Sequence, residues 1–252
     1  MGGVEDETAQ PAFDGIFDAD YLHFYLGALT DQLSDANADV IGRLLDLEPG
    51  MAVLDLACGH GRIANRLAGR GCVVTGLDAS VEFLDLARRD ADARGVSVHY
   101  VHGDMRRLPW TAQFDRVVSW FTAYGYFDDR ENKAVLAEVF RALRPGGRFL
   151  VELNNRDWIL RNFQPHRVTQ LGDDFMIDQS PPADPLTGRL TTRRTIIRGG
   201  AVRHATYTVR QFTFPELRDW LLDAGFSTVD GYDERGEPFG TDSRRMIVVA
   251  RR

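Results

Sequence analysis

The sequence predicts an α/β fold in which helices cover both faces of a doubly wound, mostly parallel sheet, with a small antiparallel β lobe added. Strand-like and helix-like segments alternate from about residue 51 to residue 155, and this alternation is typical of βαβ units. Two strand-like segments, MAVLDLA and RVVSWF, are apolar nearly throughout, as strands buried on both faces must be. Period-two alternation on each side of Gly199-Gly200 predicts the hairpin of the lobe.

Length and composition limit the class of protein. At 252 residues the chain is long enough for one large domain, or for one domain with a small extra lobe. It has no run of about 20 apolar residues that could cross a membrane, and its first residues are acidic rather than signal-like. Its two cysteines, Cys58 and Cys72, lie in apolar segments, so we expect a cytoplasmic protein without disulfides. A net charge of −7 argues against a nucleic-acid partner, and we expect a monomer or a homodimer.

The predicted elements follow the chain in a simple order. Two amphipathic helical segments come first, one marked by Leu22 and Tyr25 and the other by Ile41 and Leu44. The alternating core and the β lobe follow, and then a helix for which Thr213 is the predicted N-cap. The predicted divisions are a flexible N-terminus (1–15), an N-terminal helical cap (16–50), the α/β core (51–155), the β lobe (156–212) and a final helix and strand pair (213–252).

A glycine-rich turn connects the first strand of the core to its first helix. Gly59-x-Gly61-x-x-Ala64 nearly matches the dinucleotide fingerprint, in which backbone amides and a helix N-terminus hold a pyrophosphate. Asp78 ends the next strand, where a carboxylate can accept both hydroxyls of a ribose. The pattern predicts a cofactor that contains a ribose, and a nicotinamide dinucleotide remains open at this point.

Asp55 distinguishes between the two kinds of cofactor. A carboxylate beside a pyrophosphate would bring like charges together, at a cost of several kcal/mol at an effective dielectric constant near 20. A cofactor with an ammonium group is stabilised instead, and S-adenosylmethionine combines a ribose with an ammonium and has no phosphate. Alternatively, Asp55 acts through ordered water or holds the loop in shape.

The third strand provides a similar pair of residues. Asp104 and Met105 follow it and offer an acceptor for an adenine amine and an apolar wall for the ring. Acidic residues thus end three successive strands, namely Asp55, Asp78 and Asp104. Any one of them could instead cap a helix, but their joint placement favours the cofactor.

Five segments, DLACGHGR, GLDAS, GDMRRLP, SWFTAYGYF and LRPGGRFLVE, together resemble the ordered motifs of class I S-adenosylmethionine-dependent methyltransferases of the small-molecule type. The resemblance covers about residues 16–155 and, more loosely, the final helix and strand pair. It implies a Rossmann-like sheet of seven strands whose last strand is antiparallel, with S-adenosylmethionine as methyl donor and S-adenosylhomocysteine as product.

The residues expected at the cofactor combine this resemblance with the strand-end argument. For Tyr25, core packing is an equally good alternative, and we expect His60 to point outward. The expected cofactor residues are Tyr21, Tyr25, Asp55, Ala57, Gly59, Gly61, Asp78, Ala79, Gly103, Asp104, Met105 and Trp120.

The resemblance implies transfer of a methyl group by in-line displacement, for which alignment of the reactants contributes about 7 to 11 kcal/mol. The segment Ser119-Trp120-Phe121-Thr122 replaces the Pro-Pro-aromatic stretch of enzymes that methylate nucleic-acid amines. We therefore expect an oxygen or nitrogen acceptor on a small metabolite or peptide, in secondary metabolism. The alternatives are an NAD(P)-dependent oxidoreductase and a non-catalytic module that binds S-adenosylmethionine.

The acceptor is expected over the carboxyl ends of the strands, beneath the β lobe. His166 is the candidate general base because histidine accepts a proton near neutral pH, although a surface histidine is the simpler interpretation. Tyr124 and Tyr126 are the other candidate catalytic residues. No metal is expected, and the lobe could form a lid, a dimer interface or both. The candidate acceptor-binding residues are Asn154, Arg156, Asp157 and Arg167.

Overall fold

The computed structural model describes residues 15–252, so the predicted flexible N-terminus, apart from Gly15, lies outside the described residues. Within the described part, no helix is both long and apolar enough to span a membrane. The elements are, in chain order, α1 (Ala19–Tyr25), α2 (Asp31–Leu44), β1 (Ala52–Leu56), α3 (Ala64–Gly69), β2 (Val73–Asp78), α4 (Val81–Arg94), β3 (Val98–His102), β4 (Phe114–Ser119), α5 (Asp129–Ala142), β5 (Leu143–Asn154), α6 (Arg156–Arg161), β6 (His166–Leu171), β7 (Asp174–Gln179), β8 (Arg189–Arg198), β9 (Ala201–Arg210), α7 (Phe214–Asp223), β10 (Thr228–Tyr232) and β11 (Arg245–Arg251).

The main sheet has seven strands in the order β10-β11-β5-β4-β1-β2-β3. Strands β1 to β5 pair in parallel, whereas β11 runs antiparallel to β5 and to β10. The structure thus confirms the predicted seven-stranded, mostly parallel sheet with an antiparallel last strand. The carboxyl ends of β1, β2, β3 and β4 meet at one edge of the sheet, where open α/β sheets bind ligands.

Two apolar clusters cover the two faces of the sheet. One contains Val135 and Leu136 of α5 with Leu217 of α7, and the other contains Ile41 of α2 and Leu67 of α3, all with exposed fractions of 0%. Each helix buries one apolar stripe against strands that are apolar on both sides. The doubly wound arrangement predicted from the alternation is therefore confirmed.

Side-chain caps fix where the helices begin. Thr213 accepts a hydrogen bond from the Glu216 amide at the start of α7, as predicted, and Asp128 does the same for Glu131 in α5. Such caps satisfy amides that have no partner inside the helix.

The β lobe is a separate four-stranded antiparallel sheet in the order β6-β7-β8-β9. Its predicted hairpin is present, because β8 pairs with β9 across Gly199-Gly200 and both glycines have positive φ. Helix α6 and strands β6 and β7 are not among the predicted elements. The side chains of β6 are mostly exposed, so HRVTQL shows no apolar stripe that would mark a strand.

Helix α1 packs against the β lobe. Phe24 forms a small buried cluster with Met176 and Ile196 of the lobe, and Asp20 forms ion pairs with Arg198 and Arg203. Contacts from α1 to the core pass through the Tyr21 ring, which lies 6.1 Å from that of Phe83. Helix α1 is thus held mainly by the lobe.

Candidate functional site

A cavity of about 320 Å³ opens at the carboxyl edge of the main sheet, within the range of small-molecule sites. Among the described residues, those that line it come from the N-terminal segment, the glycine loop and the ends of β1 to β4, and none comes from the β lobe. We expected the acceptor to bind directly beneath the lobe. The lining of the cavity does not support that position.

The cavity brings together every expected cofactor residue except Tyr25 and Gly61. Tyr25 lies behind Tyr21, with the two rings stacked at 4.5 Å. Gly61 allows close packing, because a Cβ there would lie 2.3 Å from the Tyr100 hydroxyl and 2.7 Å from Ala87 Cβ. The contacts of Tyr25 and Gly61 thus support the cavity from outside. The residues that line it are Tyr21, Asp55, Ala57, Gly59, Asp78, Ala79, Gly103, Asp104, Met105 and Trp120.

Asp55 is a buried carboxyl group on the wall of this cavity. Its side chain is 2% exposed, and within residues 15–252 its Oδ2 atom has no hydrogen-bond partner. Burial raises the pKa of Asp55 to about 7, although the nearby charge of Arg62 acts in the opposite direction. A buried polar atom without a partner is costly, so the site fits a ligand that brings a cation or donor to it.

Asp78 ties the glycine loop to the end of β2. Its Oδ2 accepts a hydrogen bond of 2.7 Å from the Gly59 amide, and its Oδ1 accepts one of 2.9 Å from the Ser80 amide. Burial raises the pKa of Asp78, although these amides favour the ionised form. Because a carboxylate has about four acceptor positions and Asp78 also accepts from the Ala79 amide, it retains capacity for a ribose hydroxyl.

Asp104 is held in a different way. Partial burial favours its neutral form, but hydrogen bonds and charge from Arg106 outweigh this and lower the pKa of Asp104. The Arg106 guanidinium forms a bidentate pair with the carboxylate. Beside it, Met105 is 7% exposed and also lines the cavity. Asp104 offers an ionised acceptor for the adenine amine, and Met105 offers an apolar wall for the adenine ring.

Two basic residues of the glycine loop lie at the cavity. His60 had been expected to point outward, but it lines the cavity, and burial lowers its pKa to about 4. Arg62 had not been identified from the sequence; it is 7% exposed and lines the same cavity. Its Nη1 donates to Asn37 Oδ1 at 2.9 Å, and the Trp120 indole N–H donates to the same oxygen at 3.2 Å. Asn37 of α2 thus fixes both side chains.

The turn after β4 has an unusual backbone. Phe121 and Thr122 have φ values of 69° and 56°, and both line the cavity. The left-handed conformation costs about 1 to 2 kcal/mol for each non-glycine residue, so it persists only where the surroundings enforce it. Glu152 on β5 and Arg245 on β11 lie against this turn.

Aromatic rings form another part of the cavity lining. Phe17, Tyr21 and Tyr126 all line the cavity, and the Phe17 ring lies 5.3 Å from each of the two tyrosine rings. Behind them, the Tyr207 ring of the lobe lies 6.4 Å from that of Tyr126. Burial raises the pKa values of Tyr21 and Tyr126, so both phenols remain neutral.

Of the expected catalytic residues, only Tyr126 lines the cavity. Tyr124 is 1% exposed, its hydroxyl donates to the Asn132 carbonyl at 2.9 Å, and its ring stacks on Phe212. These contacts give Tyr124 a structural role in the core. His166 is exposed at the start of β6 and does not line the cavity.

The expected acceptor-binding residues do not line the cavity either. Asn154 accepts a hydrogen bond from Arg245, and Arg156 and Asp157 form the first turn of α6. Arg167 lies exposed on β6. Helix α6 and strand β6 follow β5 and line no part of the cavity, and the sequence pattern did not predict either element.

The side chains that line the cavity therefore fit the chemical groups of S-adenosylmethionine. Asp55 suits an ammonium and Arg62 suits a carboxylate, which are the two charged groups of a methionine end. Asp78 suits a ribose, and Asp104 with Met105 suits an adenine. A dinucleotide would instead place a pyrophosphate near the carboxyl group of Asp55.

Comparisons with known proteins agree with this fit. The family model of a methyltransferase domain matches residues 53–147. The chain is 30% identical over 257 residues to a cypemycin N-terminal methyltransferase from a Streptomyces species, and the match covers 99% of this chain and 98% of that protein. It is also 38% identical over 179 residues to the demethylmenaquinone methyltransferase of Thermus thermophilus, covering 69% of this chain and 74% of that protein.

Solved structures show the same fold. A S-adenosylmethionine-dependent methyltransferase from Clostridium acetobutylicum aligns with a TM-score of 0.77 over 92% of this chain and 97% of its own, at 17% identity. The CcbJ methyltransferase from Streptomyces caelestis aligns with a TM-score of 0.74 over 86% of this chain and 88% of its own, at 26% identity.

Proposed function

Because this chain belongs to the class I S-adenosylmethionine-dependent methyltransferases, we propose that it transfers the methyl group to an amine nitrogen of a small natural product or peptide. The cofactor and the class of enzyme are given by the family. The proposal concerns the acceptor atom, the class of acceptor and the residues that serve each of them.

The observation that carries the proposal is the nature of the cavity lining apart from Asp55, Asp78, Asp104, His60 and Arg62. Within the described residues, the rest of the lining is apolar, aromatic or hydroxyl-bearing and includes Phe17, Phe121, Thr122, Tyr126 and Phe127. None of these side chains accepts a proton near neutral pH. A hydroxyl acceptor usually needs a base near the methyl group, whereas an unprotonated amine already has a lone pair with which to attack.

The titratable side chains that also line the cavity, His60, Asp55 and Asp78, do not provide a base for the acceptor. His60 has a pKa lowered to about 4, which makes it a weak base at neutral pH. We assign Asp55 to the ammonium of the cofactor and Asp78 to its ribose, so neither is available for the acceptor. The acceptor therefore enters a site that offers aromatic surface and a hydroxyl, but no dedicated base.

The bound cofactor supplies a methyl group that its sulfonium already activates. The protein then aligns the acceptor with that methyl group, and alignment alone contributes about 7 to 11 kcal/mol. Tyr21, Phe17 and Tyr126 exclude water from the reacting atoms and present aromatic faces. Such faces attract an amine that arrives as a cation, and the amine must lose its proton to solvent before it reacts.

The relatives support an amine acceptor. The cypemycin enzyme is by name an N-terminal methyltransferase, and its match extends over 99% of this chain. That match includes the β lobe and α1, which lie outside the residues 53–147 of the family model. An acceptor with an amine on a natural product or peptide also agrees with the expected role in secondary metabolism.

The test uses pairs of acceptors that differ in one atom. The purified protein is incubated with S-adenosylmethionine and with amines and their hydroxyl analogues: peptides with free or acetylated N-termini, and amino sugars with their parent sugars. Mass spectrometry should show added methyl groups on the amines alone, and an Asp78→Ala variant should show none. Equal or faster methylation of the hydroxyl analogues, or of a demethylated naphthoquinone, would overturn the assignment to nitrogen.

A further inference from the structure

The turn after β4 is held by one buried carboxylate. Glu152 is 3% exposed, and its Oε2 accepts a hydrogen bond of 2.7 Å from the Phe121 amide. The backbone carbonyl of Glu152 accepts a second bond, of 3.0 Å, from the Thr122 amide. A single residue of β5 thus binds both amides of the two consecutive left-handed residues.

Arg245 of β11 fixes that carboxylate and reaches the turn itself. Its guanidinium forms a bidentate pair with Glu152, and its Nη2 donates to Thr122 Oγ1 at 2.7 Å. Since a hydroxyl oxygen has two lone pairs and one hydrogen, the bond from Arg245 leaves Thr122 one lone pair and its O–H for a ligand in the cavity.

The Phe121 ring lies between two guanidinium groups. Arg62 Cζ is 5.5 Å from its centroid and Arg245 Cζ is 5.8 Å from it. The ring is 38% exposed and lines the cavity, as does Thr122. The Glu152 side chain therefore holds the Phe121 amide directly and the Thr122 hydroxyl through Arg245, whereas the bond from the Thr122 amide goes to the backbone carbonyl of residue 152.

We propose that Glu152 is a positioning residue for methyl transfer: through the Phe121 amide and Arg245, its carboxylate fixes the Phe121 ring and the Thr122 hydroxyl on the acceptor side of the cavity. Glu152 does not line the cavity, and it acts only through the turn. Glu152 would have this role whether the acceptor atom is oxygen or nitrogen, so its role does not depend on the assignment to nitrogen.

A ligand comparison tests the proposal without any acceptor. Sinefungin differs from S-adenosylhomocysteine by an amine-bearing carbon at the place of the sulfur, so it probes the space around the transferred methyl group. In the Glu152→Gln variant, calorimetry should show S-adenosylhomocysteine binding within about threefold of wild type. The ratio of the dissociation constants of sinefungin and S-adenosylhomocysteine should differ at least about tenfold from that of wild type, because a misplaced turn changes only that region.

The control is Glu138→Gln, which makes the same chemical change in a similar setting. Glu138 also accepts a backbone N–H, from Leu108 at 2.6 Å, and also pairs with an arginine, Arg141, but Leu108, unlike Phe121, does not line the cavity. This variant should bind both ligands as wild type does. If Glu152→Gln weakens both ligands by the same factor, or neither, the positioning role is wrong and Glu152 is only structural.

Kinetics give a second, separate readout. With any acceptor that the wild type methylates, Glu152→Gln should lower kcat about a hundredfold, as small misplacements of reacting groups do, while KM for S-adenosylmethionine stays within threefold. An unchanged kcat would contradict the proposal. If the wild type methylates no amine of the panel, the acceptor assignment fails, and the sinefungin comparison still decides the role of Glu152.

Discussion

The buried carboxyl group of Asp55 links cofactor binding to pH. Burial raises the pKa of Asp55 to about 7 in the free protein, so near neutral pH it carries a proton part of the time. An ammonium group beside it favours the ionised form and lowers that pKa. Binding of the cofactor therefore releases a proton from Asp55, and affinity should increase with pH.

The expected size of this effect follows from the pKa. Between pH 6 and pH 8 the ionised fraction of a group with a pKa of about 7 rises about tenfold, so the affinity for S-adenosylhomocysteine should rise about tenfold. Titration calorimetry at both pH values measures it. In Asp55→Asn the affinity should be lower and nearly independent of pH in this range. An equal pH dependence in the variant would show that another group is responsible.

The sequence predicted the positions of the aspartates but not their partners. Asp55, Asp78 and Asp104 could be placed because the ends of neighbouring parallel strands meet at one edge. Glu152 could not, because its partner Arg245 lies 93 residues away and a lone acid in RFLVELN resembles any half-exposed strand residue. Arg62 was missed for a similar reason, since its burial depends on Asn37 of α2.

At the scale of elements, the β lobe holds α1 over the cavity by means of Arg194. This residue is 3% exposed and forms a bidentate pair with Asp178. Its Nη2 also donates to the Tyr25 hydroxyl at 3.3 Å and to the Tyr207 hydroxyl at 3.2 Å. Tyr25 in turn supports Tyr21, which lines the cavity. The lobe thus contributes to the site without touching the cavity.

Replacement of Arg194 should therefore lower both the free energy of unfolding and the affinity for the cofactor product. Arg194→Met leaves the Asp178 carboxylate, whose side chain is only 12% exposed, without its partner, which costs up to about 3 kcal/mol. The variant should also lower the affinity for S-adenosylhomocysteine severalfold because Tyr21 loses its support. Urea unfolding and calorimetry measure the two effects. The control Arg88→Met removes a largely exposed pair with Asp85 and should change neither by much. Unchanged cofactor affinity in Arg194→Met would show that the lobe does not support the site.

The lobe also shows where element prediction failed. The β8–β9 hairpin was predicted because Gly199-Gly200 interrupts two alternating strands. The β6–β7 hairpin turns at Gly172-Asp173, but β6 is exposed on most of its length, so hydrophobic alternation does not mark it. Edge strands with exposed side chains lack the signal that burial imposes on central strands.

In the whole molecule, the main sheet and the N-terminal segment line the cavity, and the lobe supports α1. The seven-stranded sheet provides the carboxylates, the glycine loop and the turn after β4, while α1, supported by the lobe, provides aromatic surface. The core motifs resemble one family closely enough to predict the sheet and the cofactor. The acceptor side depends on long-range packing between the N-terminal segment, the lobe and the turn, and the local sequence therefore did not reveal it.

Methylation of an amine without a protein base makes the rate depend on the ionisation of the acceptor. The most direct test measures kcat/KM against pH, at saturating S-adenosylmethionine, for several amine acceptors with different pKa values. The rate should rise with pH to a plateau whose midpoint follows the pKa of each acceptor amine, because only the unprotonated amine reacts. A midpoint that is the same for all acceptors, and that disappears in His60→Gln, would contradict the account and identify a protein base.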